Sequence, residues 1–350
     1  MKAAVFHGIG DLRLEERAVP EIGDEDILLK VNTCAICGTD LKVFKHGYRN
    51  MKLPQIIGHE ISGCVEKVGK KVENFKIGER VSVVPIVSCG ECRYCRKGLT
   101  HLCVTFQEET EAFGFFHPGG FAEYMAIPGK AIKRGNLVRV PTGVSDEEAA
   151  IAEPMACALN GQMMAETGIG DEVLIIGTGP IGCMHIGLAK ALGATKVLVA
   201  EIKEERLRLA QQFGADYYIN PEKEDLKERV LQATDGLGPS VIIIAAPSKA
   251  AQELSLEIAA YRAHIDFFGG LPKGDSCAKL DSNLIHYKEL YVHGSSGSTA
   301  EQIRMCLDLM SGDRIDGTKF ISKVIPLEEL PAMLHEVQKA NLLKIVVKPS

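Results

Sequence analysis

Cys89, Cys92, Cys95 and Cys103 are separated by two, two and seven residues, and four thiolates at such spacings close around one tetrahedral zinc ion with no position left open. A disulfide framework is the competing use, but a 350-residue chain with 11 cysteines and no leader-like start does not read as a small secreted scaffold. A structural zinc lobe is therefore expected over residues 88–104. A second set is scattered: Cys37-Gly-Thr-Asp40, Gly58-His-Glu60 and Ala152-Glu153-Pro154. Cys37, His59 and Glu153, with Glu60 adjacent, make a mixed sulfur, nitrogen and oxygen set that leaves one position for water or substrate, as a catalytic zinc requires. Each residue alone has an ordinary use, the histidine in a hydrogen-bonded loop and the cysteine as a small core hydrophobe; their conjunction carries the reading.

A third group addresses a nucleotide. Gly177-Thr-Gly179-Pro180-Ile181-Gly182 follows the apolar run Glu172-Val-Leu-Ile-Ile176 and opens a helix expected over Ile181 to Leu192. The first two glycines let the backbone turn and approach a pyrophosphate, the third lets helix and strand pack closely, and the helix N-terminus attracts negative charge. Glu201 ends the next strand, 24 residues after Gly177. A carboxylate there accepts hydrogen bonds from ribose hydroxyls and repels a 2′-phosphate, so NAD is expected over NADP, although Arg206 could face a phosphate.

These groups need elements to hold them. From residue 1 to about 150 the chain reads as short, glycine-punctuated strands, at Ala3–Phe6, Ile27–Val31, Ser62–Val68, Arg80–Ile86, Phe121–Ile127 and Leu137–Val140, which is the texture of an all-β, barrel-like domain. A helix-compatible run, Asp146 to Thr167, then leads into apolar strands alternating with helices: Val173–Ile176, Lys196–Glu201, Tyr217–Ile219, Val241–Ala245, His264–Phe268 and Glu289–Val292. Six such strands make a doubly wound α/β sheet. The tail holds a helix at Glu301–Met310, a helical stretch at Leu327–Ala340 and a strand at Lys344–Val347, and is assigned back to the first domain. The domains are thus 1–152 with 296–350, and 153–295.

Composition narrows the partners. A net charge of -6 without a basic block gives no long-range attraction for nucleic acid or anionic membrane, which counts against a zinc-ribbon nucleic-acid binder. No apolar run of about twenty residues occurs, so neither a membrane span nor a targeting segment is expected and the cytoplasm is the expected compartment. Lys42, Lys45, Arg49 and Lys52 recur at three- and four-residue intervals after Cys37 and on a helix would share a face. That face is either solvated or, through Lys45 and Arg49, a grip for a substrate phosphate.

Taken together, Cys37-Gly-Thr-Asp40, Gly58-His-Glu60, the four clustered cysteines, Gly119-Gly-Phe-Ala-Glu-Tyr124, Glu153-Pro154 and Gly177-Thr-Gly-Pro-Ile-Gly182 resemble the zinc-dependent medium-chain dehydrogenases over essentially the whole chain. The resemblance implies a GroES-like β-barrel catalytic domain beside a Rossmann domain, with two zinc ions per chain, NAD, and zinc and nicotinamide meeting in the interdomain cleft. It implies a dehydrogenase in which zinc acidifies a substrate hydroxyl and NAD takes a hydride. Thr39 resembles the hydroxyl that accepts the substrate proton, and Asp40 the carboxylate that orients His59. Glu153, where classical alcohol dehydrogenases have cysteine, is similar to the sorbitol (L-iditol) and polyol branch. L-threonine and simple alcohol dehydrogenases are the alternative, and a retired structural homologue a further one. Lys42 stands where the family often has the outer histidine of a proton relay, and Gly294-Ser-Ser-Gly297 where animal sorbitol dehydrogenases carry an arginine. A small-molecule substrate and a homodimer or homotetramer are implied.

Overall fold

The strand Ile27–Ala35 is where the first unit is organised, because all of its residues except Lys30 and Asn32 are buried. Its long partner is Glu60–Val68, antiparallel from Ala35 opposite Glu60 to Ile27 opposite Val68; Tyr124–Ile127 and Lys344–Lys348 also pair with it. The resulting seven-stranded sheet runs in the order 321–326, 344–348, 27–35, 60–68, 80–83, 137–139, with 124–127 attached to 27–35, and a three-stranded sheet joins 11–16, 2–8 and 55–56. Phe6, Leu29, Ile61, Phe113, Phe121 and Val347 are among the side chains of the core. The computed structural model describes residues 1–336 and 341–350.

Contacts divide the chain into Met1–Ala156 with Ser298–Ser350, and Cys157–Gly297. The expected boundary at 152/153 falls inside the continuous helix Asp146–Met164, which passes through the division; a composition change cannot locate a border within an unbroken helix.

The second unit is a doubly wound Rossmann sheet. Its strands are all parallel, in the order 217–219, 196–200, 172–176, 241–244, 264–266, 291–293. In chain order this is 3-2-1-4-5-6, with the reversal between the first and fourth strands, where such sheets open a crevice for a dinucleotide. Val173 to Ile176 and Val241 to Ile244 are buried throughout, as strands covered by helices on both faces must be. Among the described residues no helix is long and apolar enough to cross a membrane.

Several boundaries differ from the expectation. The sixth strand is Tyr291–His293, because Glu289 has a left-handed backbone (φ 52°) that no strand accommodates. The strand expected at Phe121 begins at Tyr124, and that expected to reach Ile86 ends at Val83. The strands Asp11–Glu16 and Ile321–Pro326 were not anticipated, although Asp11-Leu-Arg-Leu-Glu15 alternates polar and apolar residues. The stretch Leu327–Ala340 becomes a short 3-10 turn at Leu327–Glu329 and the helix Leu330–Glu336, and its last four residues lie outside the described residues. The helix after Cys37 is Gly38–His46; Gly47 (φ 69°) ends it, so Arg49 and Lys52 do not share its face with Lys45.

Gly182 shows how tightly the nucleotide turn is built, since a Cβ there would stand 1.8 Å from the carbonyl oxygen of Gly177. Backbone cannot yield as a side chain does. Gly182→Ala should therefore destabilise the 157–297 unit by about 1–3 kcal/mol, the usual cost of overpacking, seen as a lower denaturant midpoint; an unchanged midpoint would contradict the packing described here.

Candidate metal centres and nucleotide loop

The four clustered cysteines converge. Cys95 starts a 3-10 turn closed by Gly98 in a left-handed conformation, and Cys103 precedes the helix Val104–Glu109. All the cysteines are free thiols. Sγ of Cys95 lies 3.9 Å from that of Cys89 and 3.5 Å from that of Cys92, near the ~3.8 Å edge of a tetrahedron with 2.3 Å metal–sulfur bonds and far beyond a disulfide. Backbone amides aim at the sulfurs: Cys89 N donates to Cys103 Sγ and Cys92 N to Cys89 Sγ. Amides of Cys95 and Val104 bring the Cys92 thiol down to about 6, while burial and the neighbouring thiols push Cys95 up to about 12. A group whose sulfurs cannot all ionise together without help has the donor set and spacing that a zinc ion fits.

The second site is assembled by two turns. Cys37 caps the helix Gly38–His46, and Asp40 completes a capping box by accepting from Cys37 N at 2.9 Å. The other Asp40 oxygen lies 3.3 Å from His59 Nδ1. His59 follows Gly58, whose φ of +93° and whose missing Cβ, which would stand 2.8 Å from Cys34 Sγ and the Phe121 ring, require glycine. The imidazole lies against Phe115, ring centres 5.3 Å apart, and Glu60 begins the strand behind it, fully buried. Ligand atoms of Cys37, His59 and Glu60 all lie within 4.8 Å of one another. Burial opposes a charged His59 ring, yet the charges of Asp40 and Cys37 outweigh it and hold the ring well above the usual histidine range. Negative groups gathered around a buried imidazole call for a cation, which these residues fit.

Glu153, the other expected ligand, is buried on the helix Asp146–Met164 and is not among those three. Thr39 is half-buried in the first turn of its helix and Lys42 is exposed. Lys45 and Arg49 are exposed, and Arg49 donates to the carbonyl of Gln107 at 2.7 Å. Two participants escaped the sequence reading. Phe115 carries no local signal, but Lys344 does, as a lysine set in the apolar run Leu342 to Val347. Its Nζ donates to Glu60 Oε1 at 2.7 Å and to the carbonyl of Ile36 at 2.8 Å. Burial disfavours its charge, but Glu60 and Cys37 more than compensate and raise its pKa.

In the second unit Gly177 is left-handed (φ 98°), and no atom stands within 4 Å of where a Cβ on Gly179 would be, which leaves room for a phosphate. Pro180 is the first residue of the helix Pro180–Ala191 and Ile181 the next. Glu201 is buried and already engaged: one oxygen accepts from Thr178 N (3.0 Å) and Thr178 Oγ1 (3.3 Å), the other from Lys203 N (3.0 Å). It lines a cavity of about 770 Å³ together with Gly177, Gly179, Lys203 and Arg206, a size suited to a cofactor.

The sequence profile of the alcohol dehydrogenase GroES-like domain matches residues 23–141, and that of the zinc-binding dehydrogenase domain residues 180–312. An L-threonine 3-dehydrogenase of Pyrococcus abyssi is 37% identical over 81% of this chain and 79% of its own length. Among solved structures, a zinc-binding dehydrogenase of Sinorhizobium meliloti 1021 bound to NADP superposes with a TM-score of 0.91 at 30% identity, covering 99% of each chain. Galactitol-1-phosphate dehydrogenase of Escherichia coli gives 0.88 at 27% identity, covering 100% of each. Profiles on both units and relatives along most of the chain agree with one another: the chain belongs to the zinc-dependent medium-chain alcohol dehydrogenase family and is an oxidoreductase.

Proposed function

We propose that the chain catalyses reversible hydride transfer between NAD and a secondary alcohol of a polyol or sugar alcohol, with a catalytic zinc at Cys37, His59 and one or both of Glu60 and Glu153, and a structural zinc at Cys89, Cys92, Cys95 and Cys103. The observation carrying this reading is the convergence of ligand atoms of Cys37, His59 and Glu60 within 4.8 Å of one another. Bound there, zinc would supply a Lewis acid for the substrate hydroxyl and the nicotinamide a hydride acceptor. The residues supply position and protons. Asp40 orients His59 and restrains Cys37 through its amide, and Thr39, two residues from Cys37, is the hydroxyl nearest in sequence for taking the substrate proton.

NAD is favoured over NADP by the carboxylate of Glu201, though Lys203 and Arg206 line the same cavity and the S. meliloti relative was solved with NADP. L-threonine is the second reading, favoured by the P. abyssi relative; both substrates present a secondary alcohol beside a polar substituent. The galactitol-1-phosphate relative keeps a phosphorylated polyol in view, for which Lys45 and Arg49 are the proposed cations. A homodimer or homotetramer is in keeping with the strand Tyr291–His293, which pairs on one side only among the described residues, and a cytoplasmic location with the free thiols.

Metal analysis of protein purified without chelator should give two zinc ions per chain. Cys37→Ser and His59→Ala should abolish turnover while NAD still binds, and Cys92→Ser or Cys103→Ser should lose one zinc and lower stability; one zinc per wild-type chain would count against the assignment. Glu201→Ala removes a charged hydrogen bond of about 1.5–3 kcal/mol and should weaken NAD by about ten- to a hundredfold, narrowing the gap to NADP. Equal use of both cofactors by the wild type would overturn that role. NADH absorbance across polyols, polyol phosphates, L-threonine and primary alcohols should give the highest kcat/KM for a polyol; a clear preference for L-threonine would establish the second reading.

A further inference from the structure

The second unit also buries a carboxylate that does not line the cavity of Glu201. Asp266 ends the strand His264–Asp266, between the strands 241–244 and 291–293, and is fully buried. Apolar residues of similar volume often replace a buried charged group and its partner without loss, so stability alone is a poor reason for an acid in this strand. Its two oxygens reach different neighbours. Oδ2 accepts from Ser295 Oγ at 2.6 Å, and Oδ1 lies 3.5 Å from Nδ1 of His293, its register partner on the next strand. Gly161 lies over the first pair, since a Cβ there would stand 2.7 Å from Asp266 Oδ2 and 2.9 Å from Ser295 Oγ. Within Gly294-Ser-Ser-Gly297, Ser295 is buried while Gly294 and Ser296 on either side of it are exposed. One hydroxyl therefore fastens this segment to the sheet.

A doubly wound sheet takes a dinucleotide across the carboxyl ends of its strands, one mononucleotide to each half. The cavity with Glu201 belongs to the first half: Gly177, Lys203 and Pro221, which follow the strands 172–176, 196–200 and 217–219, line it, and it reaches Ala245 at the end of 241–244. The other half continues through 264–266 to 291–293, and its carboxyl ends are tied together, Gly269 N donating to Ile244 O at 2.7 Å and Phe267 N to His293 O at 2.9 Å. The segment 294–297 leaves the last of these ends. We infer that Asp266 and Ser295 are positioning residues for the nicotinamide half of the cofactor, fixing the segment 294–297 before that half arrives. The inference rests on the reading of the cofactor as a nicotinamide dinucleotide. A segment already held in its bound shape gives up less freedom on binding, so loosening it is felt as lost affinity. That loss would fall on the nicotinamide and spare the adenosine, whose ribose is assigned to Glu201.

Isothermal titration of the purified full-length protein with NADH and with ADP-ribose, which is the cofactor without its nicotinamide, separates the two halves. Ser295→Ala should weaken NADH about tenfold or more, the scale of one hydrogen bond to a charged group, and leave ADP-ribose within about twofold. Asp266→Ala should behave as Ser295→Ala does, and Asp266→Asn, which keeps an oxygen to accept from Ser295, should recover most of the affinity for NADH. A pair with only a packing role predicts a lower unfolding midpoint with NADH and ADP-ribose weakened together, or neither weakened, and either pattern would overturn the proposal. Should Asp266→Ala not fold, Ser295→Ala, which deletes a single hydroxyl, decides. Glu201→Ala is the control for the adenosine half and should weaken both ligands alike. A wild type that binds neither NADH nor NADPH would overturn the cofactor reading and the inference with it; one that binds NADH, with Ser295→Ala unchanged, would overturn the inference alone.

Discussion

Buried negative charge is the constraint around which the first unit is arranged. Asp40, Glu60 and Glu153 are each at least nine-tenths buried, and Cys37 and His59 stand beside the first two. Taking a carboxylate out of water costs several kcal/mol even after relaxation, whereas one hydrogen bond to a charged group returns about 1.5–3 kcal/mol. The unit answers these anions with donors and counter-charges: Asp40 with the Cys37 amide and the His59 ring, Glu60 with the Lys344 ammonium. What these partners do not offset, a metal ion would. The four-cysteine lobe meets the same demand with backbone amides in place of a lysine.

The nucleotide unit works with the opposite sign. Its loop offers amides, a helix N-terminus and the open face of Gly179, all favourable to phosphate. The carboxylate of Glu201 interrupts that field. Its bonds to Thr178 and Lys203 fix the loop before any ribose arrives, so the group that would read the cofactor also shapes the turn that would hold it.

Local spacing made much of this legible. The cysteine lobe, the Gly177 to Gly182 turn and the Gly58-His59-Glu60 turn each lie within a short stretch where residue type and backbone demand coincide, and the apolar strands of the second unit were recognisable because burial on both faces removes polar alternation. Strand ends were less so, since a left-handed residue such as Glu289 gives no compositional sign. Least legible were meetings across the chain. Lys344 and Glu60 are 284 residues apart, and the bonds of Glu201 to Thr178 and Lys203 exist only once the loop has folded back on it. Arg49 looked like a neighbour of Lys45 until Gly47 ended their helix.

The pairing of Lys344–Lys348 with Ile27–Ala35 also sets an order of events at the ribosome. The contiguous unit Cys157–Gly297 has all its strands once residue 293 has emerged, and can collapse while the chain is still growing. The centre around Glu60 must wait, for its counter-charge comes 284 residues later in the chain. Long-range closure of this kind is slow. A nascent chain would thus own every strand of its nucleotide fold before it owns the counter-charge of Glu60, and a chain cut between residues 297 and 344 would keep the first and lack the second.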